Sequence, residues 1–501
     1  MNHYDVLVVG AGPVGLMLAI ELQLAGVGVL VIERRTEPDT AVKAEGINTA
    51  SAEAFERRGL LPALQSLHRP FSNTPGAGAG QPRFVGHFAG IQVRADAVDD
   101  DDPALRNRGA AGWGSLQVAQ VEIERILGRR VEDLGVDVRR GVEVRGLRDD
   151  AEGVSVELDG APDVRVPWLV GCDGGRSVVR KLAGFEFAGT DPEITGLQAV
   201  ATVAGTEHLT PGWQYTPRGL YVYGPRPGRV RTVEFRTPPT DRDAPVTAGE
   251  IEASLRRVSG AEVRVTDVVT AARFTDNARQ ATSYRRGRVL LCGDAAHVHS
   301  PFSGQGLNLG IGDAVNLGWK LAATVAGWAP PNLLDTYTAE RHPIGAWVLD
   351  WTRAQVAAMR GDDASAALRA VVADFLGTRD GATYYVTRTS GLWQRYDLGG
   401  SHPLVGATMP DLRLADGTQL SGHTRDGRAL LVDLTDDERL AAAAEPYAGR
   451  VTLVRSGCDE VGVSGLLIRP DGFVAWAASD GDTTGLQEAL TRWFGPVISG
   501  S

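Results

Sequence analysis

Three short stretches of this 501-residue chain give up side chains where the backbone must turn. Gly10-Ala11-Gly12-Pro13-Val14-Gly15 follows the apolar run "DVLVV", and Glu33 closes the next apolar run, "VGVLVIE". Gly10 permits a tight turn, Gly12 lets the backbone approach a pyrophosphate on a helix N-terminus, and Gly15 allows close helix–strand packing. Glu33, about twenty residues on, can accept hydrogen bonds from ribose hydroxyls. An acidic group there disfavours a 2′-phosphate, so the nucleotide read from this turn is FAD or NAD, not NADP. Cys172-Asp173-Gly174-Gly175-Arg176-Ser177 is a second such turn. In the third, "RVLLCGDAAHVHSPFSGQGLN", Gly293-Asp294 ends an apolar run. Asp294 can hold a ribityl hydroxyl. Gly304 and Gly306 remove bulk, so backbone N–H groups can face a flat, polar ring. Each turn alone fits a loop between packed elements; three in this order do not.

The elements that position these turns are legible in the hydrophobic pattern. Strand, helix and strand over "YDVLVVG", "GAGPVGLMLAIELQLAG" and "VGVLVIER" form a βαβ unit. "LQVAQVEIERILGRRVEDLG" reads as an amphipathic helix, "VDVRRGVEVRGLRDDAEGVSVELDG" as a β-meander, and "VPWLVGCDGGRSVVRKLAG" as strand, turn and helix. From about Glu186 to Val269, alternating segments such as "GLYVYG" and "RVRTVEFR" predict an antiparallel sheet. A buried strand at "GRVLLCGDAAH" precedes a mostly helical stretch to about Gln394. A C-terminal unit follows, with strands at "RALLVDL", "RVTLVRS" and "GLLIRPDGFVAW". The segment from about Arg69 to Asp102 is loop-like, with "PGAGAG" and the run "DDDD", which reads as a solvated surface turn. No internal repeat is visible.

Composition narrows the function. Apolar residues make up 43% and charged residues 23%, as in ordinary globular proteins, and the length implies two or three domains. The formal net charge is −11 and no Lys/Arg block stands out, which argues against nucleic acid as a partner. Cys172, Cys292 and Cys458 are far apart, outside any CxxC or Cys/His ligand spacing. Neither a disulfide framework nor a metal site is expected, and a reducing cytoplasm fits. The apolar N-terminus is broken by Asp5 and glycines and reads as a buried strand and helix, not a signal peptide or membrane span.

Taken together, GxGxxG, "CDGGRSVVR" and "GDAAH…P…GQGLN…D" resemble the three fingerprints of the class A flavoprotein monooxygenases, the para-hydroxybenzoate hydroxylase fold. The resemblance covers the whole chain. The C-terminal "LVGATMPDLRLADG" and "LLIRPDGFVAW" are similar to the thioredoxin-like tail of the phenol hydroxylase and aromatic polyketide hydroxylase branch. The fold class implied is α/β with an α+β substrate domain. A Rossmann-like FAD-binding domain of the glutathione-reductase/para-hydroxybenzoate hydroxylase type would occupy 1–75, 103–185 and 270–350. A β-sheet substrate domain would occupy 76–102 and 186–269, a helical linker 351–399, and a thioredoxin-like domain 400–501. The resemblance implies non-covalent FAD, NADPH or NADH as co-substrate, O2, and a small aromatic substrate. The cofactor set would be Gly10, Gly12 and Gly15 at the pyrophosphate and Glu33 at the adenosine ribose, with Pro13 and Arg34 also in contact with the cofactor. Lys43 would stand near the pyrophosphate, and Gln120 at the flavin. Asp173 and Arg176 would serve both nucleotides, Gly293 and Asp294 the ribityl chain, and Gly306, Leu307 and Asn308 the pyrimidine edge. Pro301, Ser303, Gly304 and His297 would lie near the flavin.

Two positions depart from the family pattern. Lys43 stands where Arg is usual, which keeps the charge but loses the bidentate fork. Ser303 replaces the first of two glycines. His297 and His299, beside the loop, read as packed or capping residues more readily than as bases. The implied activity is hydroxylation of a polycyclic aromatic polyketide in natural-product biosynthesis, through a flavin C4a-hydroperoxide. Baeyer–Villiger oxidation on the same scaffold stays open, as do a flavin dehydrogenase and a non-catalytic FAD-fold binder. The chain would be a monomer or homodimer.

Overall fold

In the computed structural model, the residues described are 3–41, 43–69, 83–150, 152–224, 228–235, 244–458 and 462–496; the glycine-rich stretch at 75–80 lies outside them. The main sheet has six strands in the order 285–286, 289–291, 168–171, 6–9, 29–33, 137–140. All pair in parallel except the short Arg285–Arg286 strand. Val6–Val9 and Trp168–Gly171 are buried on both faces, which is why they read as unbroken apolar runs rather than alternations. Val9 lies opposite Gly171, and Gly171 opposite Leu291. The turns after these three strands therefore leave the carboxyl edge of the sheet side by side, where open α/β sheets bind ligands.

The expected meander is corrected in one part. Asp137–Arg140 pairs in parallel with Val29–Glu33 and forms the edge of the main sheet. The helix Gln120–Asp133 is its crossover, and such connections return the chain to the same sheet. Edge strands are less completely covered, so their sequence alternates and mimics an antiparallel strand. Only 143–149, 154–159 and 164–166 form the antiparallel three-stranded sheet. Within "DDDD", Asp102 accepts from the Ala104 N–H and Asp99 pairs with Arg379, so the run caps and pins a turn.

The middle of the chain forms a five-stranded antiparallel sheet in the order 212–216, 219–223, 229–235, 194–204, 264–274. The helix Ala248–Ser259 covers one face through Ile251, Leu255 and Val258. C-terminal to the helices 305–325, 336–358, 363–376 and 379–389 lies a four-stranded sheet, 451–455, 429–433, 465–468, 474–478. Its first pair is parallel and the others antiparallel.

The long helix Gln305–Val325 packs against Pro13–Leu24. A glycine inside a helix costs about 1 kcal/mol relative to alanine. Gly310 and Gly318 are nevertheless required, since a Cβ on either would stand 2.5 Å from Val14 Cγ2 or 2.4 Å from Glu21 Cβ. The C-terminal sheet is fastened to these helices by charge. Arg469, fully buried, bridges Glu340 and Asp471, and its guanidinium lies over Trp319 and Trp493. Lys320 pairs with the same Glu340 at 2.7 Å. Arg58 binds Glu21 bidentately and donates to the carbonyls of Thr424 and Pro470.

Replacing Arg469 with Met strands Asp471 and weakens the hold on Glu340. It is expected to cost about 3–5 kcal/mol, because one partner of a buried pair is removed; denaturant unfolding followed by tryptophan fluorescence measures this. Cys458 packs against the tail core. Cys458→Ser is expected to leave turnover within about twofold, read in a steady-state assay.

Candidate active site

The three turns and the face of the five-stranded sheet opposite its helix enclose one continuous cavity of about 2830 Å³. Of the residues singled out in the sequence, Gly10, Gly12, Pro13, Glu33, Arg34, Lys43, Gln120, Asp173, Arg176, Asp294, Pro301, Ser303, Gly304, Gly306, Leu307 and Asn308 line it. They come from segments up to about three hundred residues apart, yet they meet because their strands are neighbours.

At one end, Gly12 precedes the helix Pro13–Leu24, and a Cβ at Gly12 would meet nothing within 4 Å. Space beside first-turn N–H groups is an anion site. Glu33 Oε2 accepts from the Ala11 N–H at 2.9 Å and Oε1 from the Arg35 N–H at 2.9 Å, which fixes the carboxylate at the cavity wall. Asp173 Oδ2 accepts from the N–H groups of Val178 and Val179, while Oδ1 is buried without a partner. Burial raises its pKa above the ordinary carboxylate value, against the hydrogen bonds that lower it. Gln120 donates to Glu124 at 2.8 Å. Lys43 is tied to Asp39 at 2.8 Å, and Arg35 pairs with the same carboxylate.

The loop 293–308 is shaped by a residue the sequence reading left without a role, Asp313. Its Oδ2 accepts from the Gly293 N–H at 3.2 Å and meets His297 Nε2 at 2.6 Å; its Oδ1 accepts from Arg341 Nε at 2.8 Å. Burial opposes the charge of Asp313, but His297 and Arg341 outweigh it and hold the pKa low. His297 is consequently corrected as a flavin-proximal candidate: its ring is fully buried, faces Asp313 and does not line the cavity. His299 does line it. Its Nδ1 meets the Ser300 carbonyl at 2.7 Å, its Nε2 has no partner, and burial lowers its pKa.

Ser303 takes φ +67° and Gly304 φ +60°. The Ser303 hydroxyl donates to Gln355 at 3.0 Å, so it secures the turn. A Cβ at Gly304 would meet open space. Asn308 uses its side chain within the protein, accepting from the Asn48 N–H and donating to the carbonyls of Gly46 and Gly304. Gly15 and Gly293 are absent from the cavity wall. A Cβ on Gly15 would stand 2.0 Å from the Gly10 carbonyl oxygen, and one on Gly293 would press on Val14 at 3.1 Å, so both serve packing.

The far end of the cavity was missed in the sequence. His87, Trp213, Arg231, Phe274 and Tyr385 line it. His87 packs on Trp213 at 4.6 Å, and Phe274 meets Phe302 edge-on. The only sequence signal was the two-residue alternation of "RVRTVEFR", which marks one face without saying what it faces. Among the described residues, no group of His, Cys, Asp and Glu could hold a metal ion, and no helix is long and apolar enough to cross a membrane.

The residues fit an FAD. Backbone N–H groups, a carboxylate at the ribose position and side-chain-free walls at Gly12, Gly174 and Gly304 suit a dinucleotide ending in a flat ring. Residues 3–352 match the FAD binding domain family, and residues 402–497 match the family described as aromatic-ring hydroxylase, C-terminal. The chain belongs to the FAD-binding aromatic-ring hydroxylases. It is 41% identical to the 12-dehydrotetracycline 5-monooxygenase/anhydrotetracycline 6-monooxygenase of Streptomyces rimosus, over 99% of each chain. It is 40% identical to a rifampicin monooxygenase of Streptomyces venezuelae, over 99% of this chain and 100% of that one. The solved structure of an anhydrotetracycline hydroxylase from Streptomyces rimosus superposes with a TM-score of 0.88 at 40% identity, covering 99% and 100% of the two chains. The chain is therefore an FAD-dependent monooxygenase of para-hydroxybenzoate hydroxylase type.

Because the space at Gly12 is open, Gly12→Val is expected to fold, with unchanged far-ultraviolet circular dichroism, yet to lose FAD on gel filtration. Asp294→Ala is expected to weaken FAD retention about tenfold or more, as for one charge-assisted hydrogen bond. Fluorescence titration of the apoprotein with FAD measures it.

Proposed function

We propose that this chain hydroxylates a polycyclic aromatic polyketide, using NADPH or NADH and O2, as part of natural-product biosynthesis in the cytoplasm, as a monomer or homodimer. The observation that carries the reading is the size and continuity of the cavity. At about 2830 Å³ it exceeds several-fold the roughly 300–1,000 Å³ of an ordinary small-molecule site. That volume leaves room for a multi-ring substrate beside a dinucleotide. The relatives named for tetracycline and rifampicin oxidation support the substrate class.

In this reading the segments 1–75, 103–185 and 270–350 carry the cofactor, 76–102 and 186–269 face the substrate, and 400–501 is a thioredoxin-like buttress. An FAD held there would supply the oxygenating chemistry, with NAD(P)H as the reductant and O2 as the oxidant. The chain does the rest. N–H groups after Gly10 and Gly12 receive the pyrophosphate, with Pro13 pre-set for the helix start and Arg34 alongside. Glu33 holds the adenosine ribose, Asp294 the ribityl chain, and the backbone at Gly306, Leu307 and Asn308 the pyrimidine edge. Gln120, Asp173 and Arg176 complete the wall. Pro301, Ser303 and Gly304 form a bare turn between cofactor and substrate. The aromatic wall of Trp213 and Phe274, backed by the buried Phe302, orients the substrate rings and excludes water.

Incubation with polycyclic phenols, NAD(P)H and labelled dioxygen tests the reading. The expected product gains one labelled oxygen on a ring carbon and resists mild base. A product that opens to a hydroxy acid in base would indicate insertion into a carbon–carbon bond, and consumption of NAD(P)H without oxygen in any product would overturn the reading. Lys43 lies at the cavity rim, tethered to Asp39 as a point charge rather than a clamp. Lys43→Ala is expected to slow bleaching of the flavin absorbance by NAD(P)H several-fold and to change the later oxygen-transfer phase much less, both read by stopped flow.

A further inference from the structure

We propose that Arg231, with His87 beside it, is the recognition point for an anionic oxygen of the substrate, a phenolate or the enolate of a 1,3-dicarbonyl on a polycyclic aromatic. The proposal rests on the reading of the chain as an aromatic hydroxylase and names what its substrate must carry.

The placement follows from sheet register. Ala272 lies opposite Gln198, Gln198 opposite Arg231, Arg231 opposite Val222, and Val222 opposite Trp213. Directly opposed residues project from the same face of a sheet. Val230 packs against the helix Ala248–Ser259 on the other face, where Thr232 also bonds Ser254 at 2.8 Å, so Arg231 is turned to the cavity. One row thus sets an amide, a guanidinium and an indole across the cavity wall.

Arg231 differs from several other cations that line the cavity. Arg273 is paired with Glu250, Arg279 with Asp191 and Lys43 with Asp39. Its neighbour Arg229 holds Glu45. Arg231 donates to Gln198 Oε1 at 3.1 Å, and among the described residues no carboxylate is within ion-pair distance of it. Burial pushes its pKa down to about 10, with the charge of Arg229 adding to the effect and that of Glu45, which is held by Arg229, opposing it. A half-buried guanidinium with no carboxylate in contact is costly, since Glu45 is committed to Arg229, and a ligand oxygen bearing negative charge would offset that cost.

His87 completes the site. Its Nδ1 accepts from the Gly90 N–H at 3.3 Å, so in the neutral ring Nε2 carries the proton and is the donor. Burial first, and the charge of Arg231 second, push its pKa down to about 4, so the ring stays neutral. This wall abuts the bare turn. The His87 carbonyl accepts from Tyr385 at 3.0 Å and lies 3.5 Å from the Ser303 hydroxyl, whose proton goes to Gln355, and Trp213 lies 6.5 Å from Phe302. An oxygen anchored here therefore holds its ring next to that turn. An ionised oxygen also makes the ring more electron-rich, as electrophilic oxygenation demands.

The test uses the FAD-loaded protein and two dyes of nearly equal shape, 1,2-dihydroxyanthraquinone and its dimethyl ether, the first of which reddens on ionisation. The wild type is expected to bind the dihydroxy dye with enrichment of the ionised band. Arg231→Gln should lose that band and about tenfold or more of affinity, as for a charge-assisted hydrogen bond, with affinity for the dimethyl ether unchanged within about twofold. Arg231→Lys, which keeps the charge, should keep the ionised band at intermediate affinity. Absence of dye binding by the wild type, binding without the ionised band, or equal losses for the two dyes in Arg231→Gln would overturn the proposal. If the underlying reading failed instead, labelled oxygen would enter no product while the dye results stood.

Discussion

The carboxylate of Asp313 holds the architecture of the site together. It lies in the long helix 305–325 and is fully buried, yet it binds the Gly293 N–H, His297 and Arg341 at once. A buried carboxylate is tolerable only when its oxygens are satisfied and its charge is matched. Meeting that condition joins the end of a central strand, the loop after it, the long helix and the helix 336–358. The loop can then dispense with side chains of its own. Its shape is imposed from beneath, and its upper surface stays bare for a flat ring.

The same economy recurs where the C-terminal sheet docks. Arg469, Glu340, Lys320 and Asp471 form a buried network, and Arg58 with Glu21 forms another. Both reach the pair of helices that packs through glycines. Burial lowers the pKa of Lys320 to about 8, with Glu340 opposing the shift. The tail thus acts as a clamp on the helices behind the cofactor turns. Its cysteine is a packing residue, and no second thiol stands with it to make a redox pair.

Toward the substrate the logic reverses. The cofactor end is built from backbone and carboxylates at the edge of a parallel sheet. The substrate end is built from side chains on the face of an antiparallel one. A backbone site suits a cofactor common to all members of the family. A side-chain site can change with substrate while the sheet behind it persists.

What the sequence determined by itself was the cofactor and the scaffold. Glycines at 10, 12 and 15 and an acid at 33 have few uses other than a dinucleotide turn, and a short β-branched run such as "VLVV", ended by that glycine turn, reads as a strand buried on both faces. These signals are local, carried by residues within one turn or strand. The sequence misplaced Asp137–Arg140, because an alternating edge strand looks alike in parallel and antiparallel company. It set His297 among the residues near the flavin while favouring a packed role for it, and the fold turns the ring inward to Asp313. Only the tertiary structure decided which side chains face the substrate. Arg231, His87 and Trp213 lie on separate strands, and their convergence depends on cross-strand register and on which face the helix 248–259 covers. Neither is written in a two-residue alternation, because the pattern tells two faces apart but does not say what each will meet.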